Sequence, residues 1–185
     1  MDEEHRENFF IELLKFALLA AVIVVPVRLF VAEPFIVSGA SMVPTFQDGQ
    51  YLIIDELTYH FGAPQRGDVI VFRYPKQPSE FFIKRIIGLP GDTVEVTAQG
   101  LSVAEQNGTT VDFPEPYIVN HGNGPVQNYT VPEGDYFVMG DNRPESSDSR
   151  VWGDVPRANI IGRVFLRLLP VQSIGYLPGA AVEPK

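Results

Sequence analysis

The sequence predicts a mainly β protein, in which an antiparallel β-sheet or partly open barrel carries a small β insertion and follows one N-terminal transmembrane helix. Three observations lead to this class. After Pro34 the apolar residues occur in short runs separated by turn residues, which is typical of strands. No stretch after residue 35 keeps a helical period, and 16 glycines and 16 prolines disfavour long helices. Before Pro34, in contrast, one apolar segment extends over residues 9–32.

The composition excludes several classes of protein. A length of 185 residues suits one domain with a modest insertion. A formal net charge of -9 argues against nucleic-acid binding, which needs a basic surface. The absence of cysteine excludes thiol catalysis, disulfides and cysteine-ligated zinc. The three histidines lie far apart in the sequence, so a zinc site is not indicated, and no metal or cofactor is expected.

Residues 1–32 are predicted to form a short tail and a transmembrane anchor. Glu12, Lys15 and Arg28 interrupt the apolar part, so that only residues 16–27 are free of charge, fewer than the roughly 20 residues that a spanning helix prefers. The charges lie near the two ends, however, where long side chains reach the membrane interface. Two alternatives stay open: a cleaved signal peptide, which the acidic start of the chain disfavours, and a buried core helix.

The rest of the chain is predicted to form one β domain with an insertion. Candidate strands cover residues 51–54, 69–72, 81–87, 93–97, 136–139 and 160–169. The segment 99–132 is more polar and irregular and is interpreted as an inserted β subdomain, so that residues 33–98 and 133–176 form the main domain. Residues 177–185 are rich in proline, glycine and alanine and are expected to form a poorly ordered tail.

The first candidate for chemistry is Ser41, in the segment Ser-Gly-Ala-Ser-Met-Val-Pro-Thr at residues 38–45. A nucleophile needs its oxygen exposed at a bend, with backbone N–H groups free to hold an oxyanion. Gly39 permits the bend, and Pro44 prevents the segment from becoming a helix. The alternative is that Ser41 belongs to an ordinary turn, where serine is common.

The second candidate is Lys84, in the apolar run at residues 81–88. Because strand side chains alternate between faces, Phe82, Lys84 and Ile86 share one face. Apolar neighbours disfavour the ammonium form, lower the pKa of a lysine and allow it to act as a base. The alternative is a lysine on an edge strand that prevents aggregation.

The third candidate is the polar stretch at residues 140–150, which lies between two apolar strands. Its charged side chains are predicted to pair with one another or with Arg85, and they are Asp141, Arg143, Asp148 and Arg150. Such a network would fix a loop beside a functional site. The alternative is a solvated loop with surface ion pairs.

Taken together and in order, these stretches resemble the bacterial type I signal peptidases. The resemblance covers residues 33–170 and lies in five stretches, at residues 38–45, 66–75 (Arg-Gly-Asp-Val-Ile-Val-Phe-Arg-Tyr-Pro), 82–92 (Phe-Ile-Lys-Arg-Ile-Ile-Gly-Leu-Pro-Gly-Asp), 140–143 (Gly-Asp-Asn-Arg) and 148–153 (Asp-Ser-Arg-Val-Trp-Gly). Their common order makes the resemblance specific. The fold of this family, mainly antiparallel β with a variable β insertion, agrees with the predicted strands.

The resemblance implies a role for particular residues. Ser41 corresponds to the nucleophile of the family and Lys84 to its base, and Ser146 corresponds to a serine that orients the lysine. Some members complete the oxyanion hole with a serine hydroxyl at the position of Gly39, so this chain departs from them. It also has Pro-Glu at residues 144–145, where the family usually has Asp-Asn.

The resemblance also implies a membrane-bound serine endopeptidase that removes signal peptides from secreted preproteins at the outer face of the cytoplasmic membrane. It would cleave after small residues, with the substrate extended beside Phe35, Val37, Gly39 and Ile83. Its expected partners are preproteins and membrane lipid, without metal or nucleic acid. Two alternatives remain: another Ser/Lys protease, such as a self-cleaving repressor or a conjugation-system protease, and a membrane-tethered β domain without catalysis.

Overall fold

A computed structural model describes residues 3–30, 32–121 and 125–180, with side chains for residues 9–22, 33–121 and 125–180. Its helices are α1 (Glu3–Phe30), α2 (Thr58–Phe61) and α3 (Ser149–Trp152). Its strands are β1 (Ala32–Ile36), β2 (Tyr51–Asp55), β3 (Val69–Arg73), β4 (Phe81–Gly88), β5 (Thr93–Val96), β6 (Leu101–Ala104), β7 (Thr110–Phe113), β8 (Gln127–Thr130), β9 (Asp135–Met139), β10 (Val155–Pro156), β11 (Ile160–Leu169) and β12 (Gly175–Tyr176). Both sheets are antiparallel throughout, as the sequence predicts.

Helix α1 occupies the segment that was predicted as an anchor. Its described side chains are almost all exposed, including the large apolar ones from Phe9 to Val22. The alternative interpretation of this segment as a buried core helix is therefore wrong for residues 9–22. Within the described residues, however, no helix meets the length and apolar character that are required to cross a membrane.

The larger sheet contains eight strands in the order β1-β2-β11-β3-β4-β9-β10, with β12 beside β11. All six candidate strands of the sequence are confirmed as strands. No described pairing joins β1 to β10, so the pairings give an open sheet and do not establish the predicted barrel. Strand β4, which carries Lys84, lies between β3 and β9, and is therefore not an edge strand.

Apolar side chains cover both faces of this sheet. Along β3, Ile70 and Phe72 belong to one core cluster, whereas Val69 and Val71 belong to another. Successive strand residues point to opposite faces, so the two clusters lie on opposite sides of the sheet. Strand β3, which is buried except for Arg73, thus supports its neighbour β4 from within the sheet.

The predicted inserted subdomain forms the second sheet, with four strands in the order β7-β6-β5-β8. This sheet begins with Thr93–Val96, before the predicted boundary at residue 99. Its core is shared with the larger sheet, because Val94 and Phe113 pack in one cluster with Phe137 and Met139 of β9. The subdomain is therefore packed on the main domain and not merely linked to it.

The start of the predicted tail is ordered by contacts. The backbone N–H of Leu177 donates to the carbonyl of Phe165 at 2.8 Å. The guanidinium of Arg85 donates to the carbonyl of Gly179. The expectation of a poorly ordered tail is therefore wrong for residues 177–180, because the guanidinium of Arg85 forms a hydrogen bond with one of their carbonyl groups. Residues 181–185 lie outside the described residues.

Candidate active site

Ser41 lies in the turn that connects β1 to β2. Gly39 adopts a φ of +89°, a conformation that side chains with a Cβ rarely take, and its N–H donates to Asp48 Oδ1 at 2.8 Å. Met42 and Phe46 follow and are fully buried in the core beside β3. The turn is thus held by apolar side chains on one side, while Ser41 itself stays half-buried.

The side chain of Lys84 reaches this turn from the middle of β4. Its Nζ lies 2.7 Å from Ser41 Oγ and 2.9 Å from the carbonyl oxygen of Ile83. The ring of Phe82, two residues earlier on the strand, lies with its centroid 5.4 Å from the same nitrogen. Only 4% of Lys84 is exposed. The structure therefore joins the two residues that the sequence singled out, 43 positions apart.

Burial changes the protonation of Lys84. It lowers the pKa of the amine from 10.5 to about 8, because the buried site disfavours the charged form. The carboxylates of Asp148 and Asp141 act in the opposite direction, but more weakly. Near pH 8 a substantial share of Lys84 is thus neutral and able to accept a proton.

Asp141 is held by the residue next to Lys84. Arg85 donates from Nε to Asp141 Oδ1 at 2.9 Å and from Nη2 to Oδ2 at 2.7 Å, in a bidentate pair that is almost completely buried. Thr45, four residues after Ser41, donates to the same carboxylate at 2.5 Å. This pair therefore connects the turn at residues 37–50, called here the serine turn, to the stretch at residues 140–150, called here the polar loop.

Asp148 is held within the polar loop itself. Its carboxylate accepts hydrogen bonds from Arg150 Nε and Nη2, both at 2.8 Å, and from the N–H of Gly140 at 3.0 Å. Each of the two carboxylates near Lys84 is therefore paired with an arginine. That pairing limits how much the carboxylates favour the ammonium form of the lysine.

Arg143 does not pair within the polar loop. It forms an ion pair with Glu115, from the connection between β7 and β8, and the side chains of both are buried. Sequence reasoning missed this partner, because nothing in the irregular segment 99–132 distinguishes one acidic residue from another. Two of the four charged residues of the predicted network thus pair with each other, and the other two pair with Arg85 and Glu115.

Ser146 lies beside the serine turn but does not bond to Lys84. Its Oγ is buried without a hydrogen-bond partner among the described residues. Its position follows from its closeness to Gly140. A Cβ built on Gly140 would lie 2.3 Å from Ser146 Oγ and 2.4 Å from the carbonyl oxygen of Ser41, so both oxygens pack against this glycine. The predicted orienting bond is therefore not formed in this structure, although the hydroxyl lies beside the backbone of Ser41.

One groove of about 510 Å³ runs along this site. Its walls come from β1 and the serine turn on one side and from β4 on the other. They include the four residues predicted to contact substrate, Phe35, Val37, Gly39 and Ile83, as well as Ser41 and Lys84. A hydroxyl in hydrogen-bond contact with a partly neutral amine, at the side of an open groove, is the arrangement needed for attack on a bound carbonyl group.

Comparison with known proteins gives a consistent result. The family described as "Signal peptidase, peptidase S26" matches residues 10–169. The chain is 39% identical over 184 residues to "Probable signal peptidase I-1" from a Synechocystis strain, with 96% of this chain and 91% of that protein covered. It is 42% identical over 166 residues to "Signal peptidase I" from Leptolyngbya laminosa, with 86% and 79% covered. A crystal structure of a signal peptidase I from Enterococcus faecalis is 36% identical, with a TM-score of 0.45, and covers 55% of this chain and 97% of that one.

Proposed function

The chain belongs to the signal peptidase family, peptidase S26, and we propose that Ser41 and Lys84 carry out its reaction. It is a serine endopeptidase that acts on preproteins and removes their signal peptides. The observation that carries the assignment of residues is the contact of 2.7 Å between Ser41 Oγ and the buried Lys84 Nζ.

In this proposal neutral Lys84 takes the proton of Ser41 while the hydroxyl attacks the scissile carbonyl. The resulting ammonium gives its proton to the leaving amine, and the amine departs with the mature protein. Water then attacks the acyl carbonyl while Lys84 takes its proton. The ester bond to Ser41 breaks, Lys84 returns the proton to Ser41 Oγ, and the signal peptide leaves with a new carboxylate. The backbone N–H of Ser41 is a donor for the oxyanion. Gly39 provides no hydroxyl for that purpose.

The signal peptide would bind in the groove as an extended strand. In the described pairings β1 has only β2 as a neighbour, so its other edge can accept a further strand. Phe35 of β1 and Ile83 of β4 both line the groove, and they restrict the space beside a bound backbone. Large apolar walls close to the nucleophile support a preference for small substrate residues at the cleavage site.

Helix α1 is proposed to anchor the enzyme in the cytoplasmic membrane, with the β domain on the outer side. The helix has 28 residues, about 42 Å at 1.5 Å per residue, and the hydrocarbon layer is about 30 Å thick. Nine large apolar side chains between Phe9 and Val22 are exposed. An apolar surface of this extent needs a cover, and lipid supplies one. Glu12 and Lys15 interrupt this surface; at a spacing of three residues they lie close enough to form a pair.

The assignment is tested by single-turnover cleavage of one preprotein. We expect Ser41→Ala and Lys84→Ala to lose cleavage almost completely and to remain folded, since each removes one reacting group. Lys84→Arg should fail as well, because arginine stays protonated at any working pH. Lys76→Ala, which removes an exposed lysine outside the groove, is the matched control and should cleave normally. Normal cleavage by folded Lys84→Ala would rule out the proposed base.

A further inference from the structure

One connection of the second sheet reaches the polar loop. Glu115, between β7 and β8, accepts from Arg143, and the side chains are 3% and 2% exposed. Arg143 also donates from Nε to the carbonyl of Gly140 at 3.1 Å, and its own carbonyl accepts from Arg150 at 2.7 Å. Glu115 therefore fixes an arginine that holds the loop at two points, one of them the glycine packed against Ser41.

The same connection makes a second contact near the site. The guanidinium carbon of Arg85 lies 3.9 Å from the centroid of the Tyr117 ring, which is a close cation–π distance. Arg85 is the sequence neighbour of Lys84 and holds Asp141 through two hydrogen bonds. Tyr117 therefore acts on the lysine side of the site, and Glu115 acts on the loop side.

We infer that Glu115 and Tyr117 are positioning residues for the Ser41–Lys84 pair, so that the inserted subdomain is part of the active structure. This inference rests on the proposed function of the pair. Neither residue lines the groove, and each acts through an arginine. The two contacts reach different arginines, and the two residues are also linked to each other, because the hydroxyl of Tyr117 donates to Glu115 Oε1 at 3.5 Å.

The charges around Lys84 give this inference a measurable consequence. Three arginines face three carboxylates in the cluster, namely Arg85, Arg143 and Arg150 with Asp141, Asp148 and Glu115. His121 lies 3.5 Å from Glu115, and Glu145 lines the groove. Removing the charge of Glu115 leaves the cluster with one excess positive charge, which disfavours the ammonium form of the lysine. The rise of kcat/KM with pH, which reports the loss of the proton from Lys84, should then occur at lower pH.

The test compares Glu115→Gln with Glu105→Gln. Glu105 is the matched control, since it also pairs from the second sheet with a buried arginine, Arg66, but that arginine bonds to Asp92 and the carbonyl of Ile87. We expect Glu115→Gln to reduce the plateau kcat about tenfold with little change in KM, because alignment is lost and binding is not. The pH profile of kcat/KM for Glu115→Gln should shift to lower pH. Glu105→Gln should match wild type in the plateau kcat and in the pH profile.

A second pair of variants covers the case in which Glu115→Gln does not fold. Tyr117→Phe keeps the ring on Arg85 and loses only the long hydrogen bond of 3.5 Å to Glu115, so it should retain nearly the wild-type kcat. Tyr117→Leu removes the ring and should reduce kcat severalfold. The inference is overturned if folded Glu115→Gln keeps the wild-type kcat and pH profile, if both glutamate variants lose the same activity, or if Tyr117→Leu equals Tyr117→Phe. Absence of cleavage by wild type would instead contradict the proposed function itself.

Discussion

At the scale of single residues, the chemistry depends on how one lysine is desolvated. Lys84 has two acidic neighbours that favour its charged form, yet burial outweighs them and its pKa lies near 8. Arg85 and Arg150 explain why the carboxylates are the weaker influence, since each neutralises one of them. An exposed lysine with the same neighbours would stay protonated and could not take a proton from Ser41.

The same scale gives a prediction for Ser146, whose hydroxyl is buried without a partner. Lys84 Nζ has two partners, Ser41 and the carbonyl of Ile83, and the hydroxyl of Ser146 would have to turn toward the amine to become the third. We expect Ser146→Ala to slow single-turnover cleavage by about fivefold, since one neutral hydrogen bond contributes on the order of 1 kcal/mol. The loss should be far smaller than for Ser41→Ala.

The control for this variant is Ser79→Ala, which changes an exposed serine that does not line the groove and should cleave at the wild-type rate. If Ser146→Ala cleaves at the wild-type rate, Ser146 does not orient the lysine. Ser149 is not available as a replacement, because its hydroxyl accepts from the backbone N–H of Val138.

At the scale of elements, the sequence predicts what has a periodic or bounded pattern. The buried strands β3 and β4 are continuous apolar runs between turn residues, and both were found. Strand β1 was missed, because Pro34 within it argues against a strand; at the edge of a sheet, however, proline is tolerated. Strand β8 is polar and mostly exposed, so its sequence carries no alternation to detect.

The residues of the candidate site also divide into those that a local sequence pattern indicates and those that depend on packing between distant segments. Ser41 and Lys84 were candidates from local sequence, as a serine in a glycine-proline turn and a lysine among apolar residues. The resemblance to a family was needed to assign them as nucleophile and base. Glu115 and Tyr117 were not, since their role depends on where the connection between β7 and β8 packs, and local sequence does not contain that information. The resemblance assigned Ser146 to orienting Lys84, but its hydroxyl has no hydrogen-bond partner among the described residues, and no sequence pattern determines how a side chain is turned.

At the scale of the whole molecule, the two sheets behave as one packed body attached to one exposed helix. The shared core of Val94, Phe113 and Phe137 joins the sheets, whereas the described side chains of α1 are nearly all exposed. The reacting groups and the groove all belong to the β part. We therefore expect the helix to contribute location and the β part to contribute catalysis.

Removal of residues 1–31 tests this division. The truncated protein keeps β1 and should fold and cleave a soluble signal-peptide substrate with nearly the wild-type kcat/KM. It should cleave a preprotein embedded in lipid vesicles more slowly, and should no longer float with them, because the helix no longer holds enzyme and substrate at one surface. Loss of cleavage of the soluble substrate by a folded truncated protein would show that α1 belongs to the active structure.

The central claim is that neutral Lys84 is the base for Ser41, and the pH dependence of kcat/KM tests it most directly. This ratio reports the free enzyme, in which the lysine titrates near pH 8. Only the neutral amine can accept a proton, so kcat/KM should rise about tenfold per pH unit below about pH 8 and level off above it. A profile that is flat from about pH 6 to pH 9, measured where the protein stays folded, would contradict the claim.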